Sequence, residues 1–293
     1  MVDFYEKIFG PFPFEKVAIA EVAPEKGIAG VSLPGLILLS SEFFSSRAPV
    51  ELSTATVEES FHGPLVIADE ISHQYNFYAT ALPNALAEGL AQYTDTLYAE
   101  HLAGHKIVER HFEYYSRLYR GAVATARDEA ILSQKVYGTA AYMAIVFSKG
   151  ACILQMLRDL IGDEKFFSGL KTLLTDYRGH EAGLSEYKSV FGKAHGSDLG
   201  WFFEQWYMRS GYPHLKLSWK STDDELIVTV RQTQGSDVFR IPLRFLATVG
   251  GKAQRLGGLM REREQAFAFQ LHERVTRVVV DPAHLILSAV EME

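Results

Sequence analysis

The 293-residue sequence contains a single cysteine, Cys152, so no disulfide can form within the chain and its redox setting stays open. No uninterrupted apolar stretch reaches the roughly 20 residues that a membrane-spanning helix needs. There is no basic block and no stripe of interleaved basic and aromatic residues, and the formal net charge is -7. That balance argues against a nucleic-acid partner. The N-terminus, Met1 to Lys7, lacks the basic-then-apolar character of a signal peptide and reads as the start of a helix. Such a start is equally compatible with a fragment of a longer protein. Glycine (23) and proline (10) are too few for a fibrous or disordered class. What is present is a chain with 47% hydrophobic residues, long enough to build two domains with a core in each.

Residues 3–9 read as a short helix ended by Gly10-Pro11. Lys16 to Val22 alternates like a strand, and Gly30 to Leu39 is a second strand candidate in which Pro34-Gly35 suits an edge or a bulge. From about 50 to 210 the pattern turns helical. Pro64 is placed to open one helix and Pro83-Asn84 another, with further helices near 105–119, 137–161, 163–177, 184–194 and 198–209. Trp201, Phe202, Phe203, Trp206 and Tyr207 read as the core stripe of the last of these. After Gly211-Tyr212-Pro213, short alternating runs occupy 214–219, 226–230, 238–249, 266–271, 275–280 and 285–290. Turn residues separate them, so the fold class is α+β, with a mixed domain over 1–211 and a small β-sandwich over 212–293.

One stretch carries chemistry. Val66 to Gln74 is an apolar helical run interrupted by Glu70 and His73. In the pattern H-E-x-x-H, two histidines at i and i+4 hold zinc on one helix face, and the glutamate between them activates a metal-bound water. Here Asp69 stands where the first histidine belongs. Glu59 and His62 form a second pair of the same spacing, but one continuous segment supplies both, which a di-iron carboxylate bundle does not do. The Ser/Thr-rich stretch from 40 to 56 reads as a solvated loop. His180, His195 and His214 read as exposed, and Cys152 as structural within an apolar helix.

The wider chain resembles the gluzincin zinc aminopeptidases, the family of aminopeptidase N and leukotriene hydrolase. Phe9 to Phe14 is similar to the start of that family's catalytic domain. Pro34-Gly35-Leu36-Ile37 is similar to the tail of its G-x-M-E-N-x-G-L strand, and Val66 to Gln74 to its zinc helix. Leu86-Ala87-Glu88-Gly89-Leu90-Ala91 resembles L-N-E-G-F-A, whose glutamate is the third zinc ligand. Phe147-Ser148-Lys149-Gly150 resembles Y-x-K-G, and Trp201 to Trp206 the motif that closes the helical lobe. The resemblance implies a thermolysin-like domain followed by a β-sandwich. The large β-domain that precedes the catalytic domain in this family has no counterpart in this sequence.

The same resemblance assigns roles. Asp69, His73 and Glu88 would be the metal ligands, Glu70 the general base, and Gly30, Ser32 and Phe147 substrate-binding positions. Three of these depart from the family. Its first zinc histidine is Asp69, the glutamate that holds a substrate's amino terminus is Ser32, and the oxyanion-stabilising tyrosine is Phe147. The link from His73 to Glu88 is about four residues shorter. Tyr142, five residues before Phe147, is the candidate replacement donor. An Asp-His-Glu set carries one more negative charge than His-His-Glu, which lowers the acidity of metal-bound water, and loss of an oxyanion donor costs roughly a hundred- to a thousandfold in rate. Conversely, clustered carboxylates repel unless protons or a cation neutralise them. Two expectations stand side by side. One is a degenerate peptidase fold serving as a peptide- or protein-binding module. The other is an active zinc hydrolase with Glu70 as base, acting on substrates without a free amino terminus.

Overall fold

In the first 25 residues the chain forms a helix and then a strand that opens a small sheet. The structure, a computed structural model, describes residues 1–25, 29–43 and 63–292. Most of the Ser/Thr-rich stretch and the Glu59/His62 pair lie outside the described residues. The chain divides into two units, Met1–Met208 and Arg209–Glu293. The first is a small sheet with a helical lobe and the second is all β, so the fold is α+β.

In the first unit, α1 (Val2–Phe9) buries Tyr5 and Phe9, and Tyr75 packs edge-on against Phe9 and Phe12. Strands β1 (Ala18–Val22), β2 (Gly30–Leu33) and β3 (Leu36–Ser40) form a sheet in the order β1-β3-β2. β1 runs parallel to β3, and β2 antiparallel to it. The single strand expected over 30–39 is therefore a hairpin. Pro34 fixes φ for the first turn residue, and Gly35 takes φ +68° at the second, so Leu33 pairs directly with Leu36.

Helix α2 (Pro64–His73) starts on Pro64, whose missing N–H costs nothing at a helix N-terminus. It continues into a π-helical turn, Gln74–Ala79. Then follow α3 (Asn84–Ala103) and α4 (Lys106–Thr125). The helix expected over 137–161 is broken. A 3-10 turn (Gln134–Gly138) ends at Thr139, which is extended at φ -97°, ψ 148°. A second π-helical turn (Ala144–Lys149) leads into α5 (Gly150–Ile161). α6 (Asp163–Asp176), α7 (Leu184–His195) and α8 (Gly200–Tyr207) complete the lobe. Phe202, Phe203, Trp206 and Tyr207 of α8 are buried in its core.

Two elements in the centre of the lobe approach unusually closely. A Cβ on Gly150 would lie 2.8 Å from the Cα of Gly89, so only glycine fits at this crossing. Around it Leu86, Leu90, Ile153 and Leu157 are fully buried or nearly so, each contributing about 1.5–3 kcal/mol through lost apolar exposure. The crossing holds α3, which carries Glu88, against the segment that carries Phe147. Lys149 is buried in the lobe, where its ammonium donates to the Tyr119 hydroxyl (3.3 Å), which in turn donates to Asp128 (2.8 Å).

The described residues of the second unit form seven strands. β4 (His214–Ser221), β5 (Glu225–Gln232), β8 (Glu264–Gln270) and β10 (Ala289–Met292) form one sheet in the order β10-β4-β5-β8. β6 (Ile241–Val249), β7 (Lys252–Met260) and β9 (Val275–Val280) form the other, in the order β7-β6-β9. Ile241, Leu243, Phe245 and Ala247 alternate inward along β6, and Phe245 meets Phe267 and Phe269 of the facing sheet at 5.5 and 5.9 Å. β7 was not foreseen, because a mostly exposed strand reading Lys-Ala-Gln-Arg-Leu-Gly-Gly-Leu-Met shows no apolar alternation. The run at 285–290 becomes a strand only from Ala289. Its first residues form a buried turn on Asp281, whose carboxylate accepts from the Leu285 and Ile286 amides.

Candidate active site

One cleft of about 690 Å³ in the first unit is lined by all eight residues singled out in the sequence: Gly30, Ser32, Asp69, Glu70, His73, Glu88, Tyr142 and Phe147. α2 contributes Asp69, Glu70 and His73, α3 contributes Glu88, and β2 contributes Gly30 and Ser32. Tyr142 and Phe147 come from the second π-helical turn and the residues before it. Both π-helical turns adjoin this cleft, as such irregular turns often do at functional sites.

His73 is the centre of the charged cluster. Its Nε2 lies 3.3 Å from Asp69 Oδ2, one helical turn back, and 3.3 Å from Glu88 Oε2 on α3. Its Nδ1 faces Asn76 Oδ1 at 3.3 Å, while the Asn76 amide donates to Ser72 Oγ (3.0 Å) and to the Ala87 carbonyl (3.1 Å). Asn76 thus fixes the ring and ties α2 to α3. Burial alone would lower the His73 pKa, but the two carboxylates outweigh it and raise the value well above the ordinary one.

Glu70 is buried against the hairpin. A Cβ at residue 30 would lie 2.7 Å from its Oε1, so the absent side chain of Gly30 is the space the carboxylate occupies. Burial first and the neighbouring Asp69 second raise its pKa to about 7, with His73 opposing. A carboxylate poised there exchanges a proton readily at neutral pH, as a general base requires.

Ser32 is engaged elsewhere. Its hydroxyl donates to the Glu70 backbone carbonyl, and its own carbonyl accepts from the Tyr78 hydroxyl. Gln74, fully buried, donates to Ser32 Oγ (3.1 Å) and the Leu33 carbonyl (3.0 Å) and accepts from the Gly35 amide (2.8 Å). The hairpin is therefore stitched to α2, and no acidic side chain projects from β2 into the cleft. Phe147 presents a ring 6.2 Å from that of Tyr142. The Tyr142 oxygen accepts from Asn84 Nδ2 (2.9 Å), which leaves its own proton free to donate.

The cleft also has a polar side that was missed in the sequence. Asn84, Gln92 and Asp95 share the face of α3 that carries Glu88. Polar residues at 84, 88, 92 and 95 recur every three to four positions along one face of the helix, which was the available signal. Outside the cleft, His180 and His214 are exposed as expected, whereas His195 is half-buried at the end of α7. Cys152 is buried in α5.

The donor set can be tested against a metal ion. Asp69, Glu70 and His73 each offer a ligand atom within 4.8 Å of the others, with Glu88 against His73 from the second helix. Two ligands on one tetrahedral zinc, with bonds of about 2.0–2.1 Å, stand about 3.3–3.4 Å apart. The 3.3 Å between His73 Nε2 and each carboxylate matches that edge. A charge-assisted hydrogen bond would close to about 2.7–2.9 Å. Two edges of an Asp69-His73-Glu88 set thus have ligand spacing, whereas the three groups whose ligand atoms all lie within 4.8 Å of one another are Asp69, Glu70 and His73.

Comparisons with known proteins identify the family of the fold. The model of the peptidase family M1 domain matches residues 1–206. A probable aminopeptidase 1 of Sulfurisphaera tokodaii is 23% identical over 273 residues, covering 87% of this chain and 33% of that protein. Aminopeptidase N of Haemophilus influenzae is 26% identical over 206 residues, covering 68% of this chain and 23% of its own length. The chain therefore spans a third or less of these relatives. The crystal structure of Legionella pneumophila aminopeptidase A in complex with aspartic acid superposes on all of this chain and 34% of its own, with TM-score 0.74 and 17% identity. Among the described residues no helix is long and apolar enough to cross a membrane. With a family model covering most of its length and the ordered motifs converging on one cleft, the chain belongs to peptidase family M1.

Proposed function

We propose that this chain is the metal-holding, peptide-binding part of an M1 protein in which aminopeptidase turnover is strongly impaired, so that the cleft works as a binding or scaffolding module. The observation that carries the reading is the engagement of Ser32. Its hydroxyl is spent on the Glu70 backbone, and β2 offers nothing acidic to a substrate's amino terminus. The oxyanion side is weakened as well, because Phe147 has no hydroxyl, a loss worth roughly a hundred- to a thousandfold in rate. The apolar lining from Val31, Val66, Phe77, Met143 and Phe147 still suits peptide side chains.

Asp69, His73 and Glu88 would hold zinc, which supplies a Lewis acid and a water of lowered pKa when bound. Around it, Glu70 can take and return a proton at its carboxylate, His73 is oriented by Asn76, and Tyr142, on the cleft wall, keeps its own hydrogen to donate. That last feature favours a second reading, an active hydrolase for substrates without a free amino terminus.

Chain freed of metal with a chelator and titrated with zinc decides between them. One equivalent of zinc is expected by mass spectrometry under native conditions. Release from aminoacyl-coumarin and from an internally quenched peptide should not exceed that of Glu70→Gln. Quenched-peptide turnover that Glu70→Gln abolishes would establish the active hydrolase instead, and absence of bound zinc would remove the metal from the reading.

A further inference from the structure

β2 is the edge strand of its sheet: one side pairs with β3, and among the described residues no strand lies against the other. Antiparallel pairing decides which backbone groups face which side. The Ser40 amide donates to the Ala29 carbonyl at 3.0 Å, so 29 and 40 form a hydrogen-bonded pair. In the same register, 31 with 38 and 33 with 36 are hydrogen-bonded pairs too. The N–H and C=O groups of Gly30 and Ser32 therefore point away from β3, and both residues line the cleft. An edge of this kind is where an extended peptide adds as a further strand, bonding to every second residue.

One of those four groups is already taken. From the π-helical turn after α2, the Tyr78 hydroxyl donates to the Ser32 carbonyl. Gln74, four residues earlier on the same turn, holds the adjacent Leu33 carbonyl and the Gly35 amide. Tyr78 is half-buried in the cleft wall, with its ring edge-on to Phe77 at 5.2 Å. A peptide N–H that reached the Ser32 carbonyl would have to displace the tyrosine and would gain only a replacement bond. At Gly30 it displaces no side chain.

We propose that Tyr78 sets how a peptide is held in this cleft: it caps the Ser32 carbonyl, so that a peptide strand pairs with Gly30 and not with Ser32. The inference rests on the peptide-binding reading above and adds to it a residue that determines register.

The probe is an acetylated ten-residue peptide rich in leucine and phenylalanine, with copies in which one backbone amide at a time is replaced by an ester. Each ester removes a single N–H donor. Binding to the whole chain is followed by NMR line broadening. In the parent, no two amides two residues apart should both be sensitive to replacement. Tyr78→Phe frees the Ser32 carbonyl and should tighten binding about two- to tenfold, the worth of one net hydrogen bond. Its scan should gain a second sensitive amide two residues from the first. That is the spacing of Gly30 and Ser32, whether the peptide runs parallel or antiparallel to β2. A Tyr78→Phe scan identical to the parent's overturns the inference and leaves peptide binding standing. Two sensitive amides at that spacing in the parent overturn it as well, which keeps the test decisive if Tyr78→Phe fails to fold. If neither protein binds the peptide, the binding reading falls and the inference with it.

Discussion

Gly150→Ala is expected to lower the free energy of unfolding by about 2–3 kcal/mol, because no side chain can retreat to make room. The new Cβ would meet the Gly89 Cα at 2.8 Å, and its other near neighbours, the Gly89 nitrogen and carbonyl carbon, are backbone too. Relief requires α3 and the segment leading into α5 to part by several tenths of an ångström. Glu88 sits beside Gly89, so parting also pulls Glu88 from its 3.3 Å contact with His73 Nε2. Stability and site should fail together. Urea unfolding checks the first part, and zinc affinity of the folded variant checks the second. An Ala variant as stable as the parent would mean that the crossing is looser than 2.8 Å implies. Gly121→Ala, inside α4 where a Cβ meets nothing within 4 Å, serves as the control and should raise stability by about 0.5–1 kcal/mol, the ordinary helix preference for alanine over glycine.

Acid should destabilise the protein through His111. This residue is buried on α4 with its Nδ1 3.0 Å from Thr96 Oγ1, and burial first and Arg110 second lower its pKa from 6.5 to about 4. Between these two values the unfolded chain binds a proton that the folded chain refuses. The contribution to stability is complete above pH 6.5 and is lost as pH falls toward 4, amounting to about 3 kcal/mol. Other groups titrate over the same range, among them Glu70, whose raised pKa acts with the opposite sign. The measurement is therefore a difference. From pH 7.5 to pH 4, the parent should lose about 3 kcal/mol more than His111→Gln, which cannot titrate. Parallel losses in the two proteins would show that His111 ionises freely in the fold.

Much of the fold was legible because local chemistry and tertiary structure agree. Pro64 opens α2, Asn84 follows Pro83 into α3, and the alternation of Ile241, Leu243, Phe245 and Ala247 marks an inward strand face. Legibility failed where one signal had two structural outcomes. Pro34-Gly35 is compatible with a bulge or with a turn, and only the pairing of Leu33 with Leu36 decides for a hairpin. The apolar run before Gly150 has a helical period, yet the backbone widens to a π-helical turn that the period does not encode. In the site, motif order was enough to bring residues from 30 to 147 into one cleft. Two things were hidden. The Ser32 hydroxyl could have faced either the cleft or α2, and its donation to the Glu70 carbonyl is a matter of three-dimensional packing. Asp95 carried no motif, and its burial on the cleft side of α3 depends on how the helices pack.

Whether the cleft binds peptide without cutting it is decided by the fate of a bound peptide. A defined ten-residue peptide with a free amino terminus is incubated with the metal-loaded chain, its binding followed by NMR line broadening and its mass determined afterwards. A binding-only cleft gives saturable broadening that an amino-terminally acetylated copy reproduces with similar affinity, and both peptides are recovered at full length. Recovery of the free peptide shortened by its first residue, with the acetylated copy untouched and the shortening absent in Glu70→Gln, would contradict it.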